Sequence, residues 1–396
     1  MAKKQTVAIV GGCGHVGLPL AVALAPHHSV RIYDVNADAV ERISRGEAPF
    51  RDEGLADGLK DALAGGMMVS TSPKVLEDCD TIIVVIGTPV DEHLNPSFSV
   101  FDKLLTQLSE VIRDGQTLIL RSTVYPGTSE RVHRYFESRA RKVHVAFCPE
   151  RVAEGVALKE IRTLPQIISG FSAEAVDAAK KLFAPLGVEL IELAPMEAEL
   201  TKLFNNVYRY ITFAVANQFY MVAAERNLDF HRILHAMKHN YPRAAHMPAP
   251  GFAAGPCLFK DTMQMSAFNN NQFFLGHSAM LVNEGLPQFV VNRMLRRWPD
   301  LIKKKVGILG MAFKAESDDI RESLSYKLKK ILSLHAGDVL TSDPYVEDNA
   351  LETEEEVLAS SDILIIGVPH KRYRTLDFKG KSVVDVWNHL GKGSVI

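Results

Sequence analysis

Short, mostly apolar runs alternate along the chain with longer segments of mixed polarity. Near the N-terminus residues 6–10 run into glycines, residues 30–33 end at Asp34, and residues 81–86 end in Gly87-Thr88-Pro89. The same order returns near the C-terminus: residues 306–309 meet Gly310, residues 338–341 end at Asp343-Pro344, and residues 362–366 end in Gly367-Val368-Pro369. A Val/Ile run without polar alternation marks a strand buried on both faces. Helix-length spacers between such strands predict parallel, doubly wound α/β units. The repeat of the pattern predicts two Rossmann-like α/β domains.

Between the repeats, residues 196–227 contain neither Gly nor Pro and carry apolar side chains nearly all round. They predict a central helix about 45 Å long at about 1.5 Å per residue. A helix apolar on most of its circumference is covered by other elements or by another subunit, so this segment is a dimerisation candidate. The chain then divides into an N-terminal α/β domain over 1–195, a helical middle over 196–300 and a C-terminal α/β domain over 301–396. The Pro/Gly-rich stretch 241–256 is the longest loop-like segment and leads into Cys257, and long ordered loops in enzymes are often functional.

At 396 residues the chain exceeds one compact core. A net charge of −2 with no basic run argues against nucleic acid or a polybasic membrane contact, and leaves a phosphate-bearing small molecule as partner. Cys13, Cys79, Cys148 and Cys257 form no CxxC pair and have no metal-ligand spacing to histidines, which predicts reduced thiols, no metal and a cytoplasmic protein. The N-terminal apolar run is too short and too broken by glycine for a signal sequence or a membrane span.

Gly12, Gly14 and Gly17 form GxGxxG directly after the first strand, and residues 18–25 read as the following helix. That context gives the triplet its meaning as a dinucleotide site: a tight turn at Gly12, close pyrophosphate approach at Gly14 and helix packing at Gly17. Asp34, at the end of the second strand, accepts from ribose hydroxyls and repels a 2′-phosphate, which favours NAD over NADP. The C-terminal repeat keeps Gly307 and Gly310 but lacks the triplet, so a different ligand is expected there. Lys314 and Arg321, flanking the acidic residues 316–319, offer cations for a nucleotide diphosphate; solvated surface charge is the plainer alternative.

Seven segments, in order, resemble the UDP-glucose/GDP-mannose dehydrogenase family, which includes the UDP-N-acetylhexosamine dehydrogenases: GGCGHVGLP at Gly11, IGTPVD at Ile86, RSTVYPGT at Arg121, CPERVAEG at Cys148, LTKLFNN at Leu200, PGFAAGPCLFKD at Pro250 and GMAFKAESDDIRES at Gly310. The resemblance implies an NAD-dependent four-electron oxidation of a nucleotide-activated hexose at C6, of a kind used in polysaccharide biosynthesis. An aldehyde must first add a nucleophile before it can yield a second hydride, and the family position for that nucleophile falls on Cys257. Cations near a thiol favour its thiolate, and Lys260 is close in sequence. Cys13, Cys79 and Cys148 read instead as inert packing residues.

The same resemblance gives Lys202 and Asn206, four apart on one helix face, the role of holding a developing oxyanion. Asp261 takes that of positioning water or accepting a proton, and Glu150 with Thr123 that of orienting water. Glu150 has a plainer reading as a structural partner of Arg151. His15, Val16, Thr88, Ser122, Glu154 and Arg321 fall at the cofactor. Arg151, Val152, Phe252, Gly255 and Lys314 fall at the sugar nucleotide, and Arg243 falls where the family reaches a neighbouring subunit's sugar.

Departures and conflicting signals bear on the substrate, and one further departure falls at the cofactor turn. The common FGGSC is here Phe252-Ala253-Ala254-Gly255-Pro256-Cys257. Lys260-Asp261 resembles the UDP-glucose and GDP-mannose branch, while Gly17-Leu18-Pro19 and Tyr241-Pro242-Arg243 resemble the UDP-N-acetylhexosamine branch. His15 stands where Tyr is usual. Two other functions fit parts of the pattern: a two-electron hydroxyacid or 6-phosphogluconate-type dehydrogenase, which needs neither Cys257 nor a second α/β repeat, and a non-catalytic sensor, which needs neither Cys257 nor Lys202.

Overall fold

The apolar runs become strands, and alternate residues of a run face different cores. In β1 (Thr6–Val10), Val7 and Ile9 pack into one apolar cluster with Leu18, Leu20 and Leu24, while Ala8 and Val10 pack into another with Leu105, Leu108 and Leu118. Both faces of the strand are therefore covered, which is why polar alternation is missing from its sequence. The computed structural model describes residues 4–87, 99–253, 255 and 257–393, and the chain divides into two units, Met1–Asn205 and Asn206–Ile396.

In the first unit β1 is joined by β2 (Ser29–Tyr33), β3 (Met68–Ser70), β4 (Thr81–Val84), β5 (Thr117–Leu120) and β6 (His144–Phe147). All pair in parallel in the order β3-β2-β1-β4-β5-β6, the order of a dinucleotide-binding doubly wound sheet. β4 stops at Val84, short of the apolar run, because its register partner Val10 ends β1. All eight residues of the helix Gly17–Leu24 are buried, so this helix is apolar on every side. A pair of parallel strands, β7 (Gln166–Ile168) and β8 (Leu190–Glu192), completes the unit.

The long helix runs Pro195–Glu225. It opens on a proline, whose fixed φ suits a first helical turn, and the boundary between the units falls inside it. Phe204, Tyr208, Val215, Phe219 and Val222, spaced by threes, fours and sevens, are exposed along one stripe, while Leu203, Val207, Tyr210, Ala216 and Tyr220 are buried. The second unit also contains the helices Leu258–Phe268 and Phe274–Arg297. Its sheet consists of β9 (Lys305–Leu309), β10 (Asp338–Ser342), β11 (Ile363–Ile366) and β12 (Ser382–Val384), all parallel in the order β10-β9-β11-β12. Among the described residues no helix is long and apolar enough to cross a membrane.

Candidate active site

The turn after β1 is built for close approach. The left-handed φ of +76° falls on Gly11, one residue before the triplet, so the conformational need for glycine sits there rather than at Gly12. Gly12 is required by space: a Cβ on it would lie 2.7 Å from Ile32 of β2. On Gly17 it would lie 2.5 Å from the Gly12 Cα, which is the helix packing expected of the third glycine. On Gly14 its nearest neighbour would be the Gly11 carbonyl oxygen at 3.8 Å, so that side of the turn is open to a ligand.

The Asp34 carboxylate accepts from the N–H of Cys13 on Oδ2 and of Asn36 on Oδ1, both at 3.0 Å. It is thus fixed beside the glycine turn and only partly buried. Val16 precedes the helix as its N-cap, and the His15 ring lies 4.0 Å from that of Phe50. These residues fit a dinucleotide: an open backbone face for the pyrophosphate and an oriented acid for the ribose. Thr88 lies outside the described residues.

Glu150 has a structural partner other than the one expected. Arg121, at the end of β5 and fully buried, donates through Nε and Nη2 to Glu150 Oε2, through Nη1 to the Cys148 carbonyl at 3.1 Å and through Nη2 to Gln166 at 2.9 Å. Glu150 Oε1 accepts the N–H of Arg151 at 2.7 Å and of Val152 at 3.1 Å. The Arg151 side chain reaches the Pro165 carbonyl instead. Both Glu150 oxygens are therefore occupied, and this geometry favours an anchoring role over water activation. Thr123 and Glu154 are half-buried in the same unit, and the neighbouring Ser122 hydroxyl is buried without a hydrogen-bond partner among the described residues.

Glu199 was not singled out by the sequence pattern, yet it is 1% exposed and accepts from the N–H of Gly127 at 2.6 Å and of Ser129 at 2.8 Å. It thereby caps the helix Thr128–Glu137, whose Gly127 N-cap has no side chain to do so. Glu199 stands three residues before Lys202, a half-buried residue on the same helix, and that spacing was the available signal.

In the second unit Cys257 is the N-cap of the helix Leu258–Phe268, and its thiol is exposed. An anion is favoured at a helix N-terminus. One turn further, Asp261 is fully buried; its N–H donates to the Cys257 carbonyl at 2.9 Å, and its Oδ2 accepts from Asn206 Nδ2 at 2.6 Å. Lys260 Nζ lies 3.2 Å from Asp261 Oδ1, which accepts no hydrogen bond among the described residues. The other thiols differ. Burial, and then Asp34, push Cys13 up to about 12, and burial pushes Cys79 and Cys148 up to about 11.

Two residues before Cys257 are held by their neighbours. Phe252 is buried edge-on to Trp387. Gly255 has φ +108°, and a Cβ there would meet the Phe313 ring at 2.6 Å. Ala254 and Pro256 lie outside the described residues. Arg243 sits exposed in the short turn Pro242–Ala244, its guanidinium 5.9 Å from the Tyr241 ring.

The C-terminal repeat rebuilds the turn for another purpose. Asp343, the counterpart of Asp34, accepts from the N–H of Met311 at 2.7 Å, Ala312 at 3.0 Å and Tyr345 at 2.9 Å. His370 also holds it: Nδ1 accepts the Glu316 N–H at 2.9 Å, so the ring proton is on Nε2, which donates to Asp343 at 3.1 Å. Burial pushes the Asp343 carboxyl up, but His370 and the backbone N–H groups outweigh it and hold it below the usual range. This acid is saturated and buried, unlike Asp34. The loop it fixes carries Lys314, 5.8 Å from the Phe313 ring, and Arg321, half-exposed and paired through Nε with both Asp319 oxygens.

A doubly wound NAD-type sheet followed by a helix-borne Asn206–Asp261 pair, an exposed thiol and a second α/β sheet defines a class: two-domain dehydrogenases with a separate substrate-binding domain. Sequence models of the UDP-glucose/GDP-mannose dehydrogenase family match over almost the whole chain, the NAD binding domain at residues 5–187, the central domain at 196–284 and the UDP binding domain at 307–392. The chain belongs to this family, and it is an NAD-dependent nucleotide-sugar dehydrogenase. It is 30% identical over 378 residues to the UDP-N-acetyl-D-mannosamine dehydrogenase of Methanococcus maripaludis, covering 92% of this chain and 86% of that protein. Among solved structures it is similar to the UDP-D-ManNAc dehydrogenase of Pyrococcus horikoshii, with a TM-score of 0.91, 26% identity and 99% and 97% of the two chains covered. It is also similar to a UDP-glucose dehydrogenase from Pyrobaculum islandicum, with a TM-score of 0.90, 26% identity and 98% and 95% covered.

Proposed function

We propose that this protein oxidises a UDP-linked hexose at C6 from primary alcohol to carboxylate, in two hydride transfers with Cys257 as the covalent nucleophile. The observation that carries the reading is the contrast among its cysteines. Three are buried with raised pKa values, and Cys257 alone is exposed, at a helix N-terminus. Bound NAD supplies the hydride acceptor; the glycine turn and Asp34 bind it and orient it.

The alcohol first loses a hydride from C6 and a proton from its oxygen, giving an aldehyde. The Cys257 sulfur then adds to the aldehyde carbon as a thiohemiacetal. Loss of a second hydride and a proton leaves a thioester, and water displaces the thiol to release the acid. The balance is one sugar, two NAD and one water. Asn206, fixed by Asp261, and Lys202, one turn away on the same helix, carry the donors for the oxyanion in each step. Glu150 is assigned to holding the loop that carries Thr123, and Asp261 to positioning water or accepting a proton.

The sugar is of the UDP-N-acetylhexosamine type, on the strength of the relatives' names and the Gly17-Leu18-Pro19 and Tyr241-Pro242-Arg243 pattern; UDP-glucose is the second reading. Lys314 meets its diphosphate, Phe252 and Gly255 its sugar, and Arg321 is assigned to the cofactor. The exposed stripe on the long helix, with residues 204 to 222 at coiled-coil-like spacing, packs on a second copy of the chain, and the exposed Arg243 is assigned to that partner's sugar. NADH release measured across UDP-N-acetylmannosamine, UDP-N-acetylglucosamine, UDP-glucose and GDP-mannose identifies the substrate. Cys257→Ala tests the nucleophile: acid formation collapses while NAD binding persists. Acid formation at close to the wild-type rate would rule it out.

A further inference from the structure

Asn206 and Asn217 are eleven residues apart on the long helix, which returns them to one stripe about 16 Å apart. Both are buried, at 5% and 0% exposure, and each is bonded to one end of the segment that carries Cys257. Asn206 donates to Asp261 beyond the thiol. Asn217 grips Gly251 ahead of it by both backbone groups, accepting its N–H at 2.8 Å and donating to its carbonyl at 3.0 Å. A side-chain amide that pairs with both groups of one residue fixes that residue in position and in rotation.

The amide of Asn217 is itself oriented. Its Nδ2 donates to Asn283 Oδ1 at 2.9 Å, and Asn283 Nδ2 donates to the Tyr210 carbonyl at 3.1 Å. Asn283 is fully buried on the helix Phe274–Arg297. No flipped amide satisfies all these partners, so the network allows one arrangement. Gly251 cannot shift toward its other neighbour, because a Cβ there would already lie 2.1 Å from the Trp387 ring.

We infer that Asn217, oriented by Asn283, is a positioning residue for Cys257: with Asn206 it holds Gly251 and Asp261, on either side of the nucleophile, at two fixed points on one helix stripe. This rests on the reading of Cys257 as nucleophile, but its test does not need turnover. Replacing both amides together, Asn217→Leu with Asn283→Leu, keeps side-chain volume and leaves neither amide facing an apolar partner, but it takes the acceptor from the buried Gly251 N–H, so folding of this variant is checked first by circular dichroism. Asn283→Ala alone is the milder second variant.

Two readouts apply to the full-length protein: the rate of Cys257 alkylation by iodoacetamide, followed by peptide mass, and kcat and KM for NADH production. Because Cys257 is already exposed, loosening the segment does not uncover it but moves the sulfur off the helix N-terminus. The double variant is expected to lose at least threefold in alkylation rate and at least tenfold in kcat, with KM for NAD within twofold of wild type. Asn283→Ala should lose less in the same two readouts, and it carries the test if the double variant does not fold. Alkylation and kcat both within twofold of wild type in a folded variant would overturn the inference. Wild-type protein that releases no NADH with any nucleotide sugar would instead remove the dehydrogenase chemistry proposed above, and the alkylation comparison would still decide the anchor.

Discussion

Asp34 and Asp343 occupy matching places after the second strand of each repeat, and their surroundings decide what each can do. Asp34 accepts two backbone N–H groups and stays partly open, so it has capacity left for ribose hydroxyls. Asp343 accepts three N–H groups and a buried imidazole, and has none. Removing Asp34 should therefore cost NAD the hydrogen bonds of an ionised acceptor, about 1.5–3 kcal/mol, or roughly ten- to a hundredfold in KM. NADP, which the carboxylate repels, should lose nothing or gain. Steady-state kinetics of Asp34→Ala with both cofactors checks this; an unchanged NAD/NADP ratio speaks against the assigned role.

Among secondary elements, β1, β2, β4, β9, β10, β11 and the long helix were legible because each signal is local: an apolar run, a glycine turn, a stretch without Gly or Pro, whereas β3, β5, β6, β7, β8 and β12 fall outside the repeated pattern. The helix started one residue earlier and ended two residues sooner than its pattern, since a proline suits its first turn. The contacts that fix loops were not legible, because they join residues distant in sequence. Arg121 meets Glu150 across 29 residues, and Asn217 meets Gly251 across 34. The sequence reading sets Glu150 with Thr123 for orienting water and offers Arg151 as the plainer partner; in the structure Arg151 gives Glu150 only its backbone N–H.

The Arg121–Glu150 pair makes a separable prediction. Glu150→Gln leaves a buried guanidinium without its counter-charge, so stability should fall by about 3–5 kcal/mol, while Arg121→Met with Glu150→Leu should recover most of it. Urea titrations measure both. A Glu150→Gln protein as stable as wild type but slow in turnover would return Glu150 to the catalytic role.

Glu199 ties the loop at Gly127 to the long helix, and burial pushes its carboxyl above the usual value of 4.5 despite hydrogen bonds from Ser129 and Gly127. A carboxyl raised in the folded state binds its proton more tightly folded than unfolded. Its contribution is therefore fully present below the unfolded value and is lost as pH rises through the folded one. Glu199→Gln does not titrate, so the stability difference should move in the variant's favour as pH is raised from about 4 to about 8. Urea midpoints across that range give the trend, and a difference independent of pH is the contrary result.

For the whole molecule, the exposed apolar side chains Phe204, Tyr208, Val215, Phe219 and Val222 line one stripe of the long helix, and a contiguous apolar stripe of this kind marks an interaction surface. Tyr208→Glu with Phe219→Glu should turn a dimer into a monomer in light scattering; wild-type protein that is already monomeric would refute the second-copy contact. The chemistry as a whole turns on whether one sugar gives up two hydrides. With limiting nucleotide sugar and excess NAD, the absorbance at completion should correspond to two NADH per sugar, with the uronic acid as product. A plateau at one NADH, with the aldehyde accumulating, would contradict the four-electron route through Cys257.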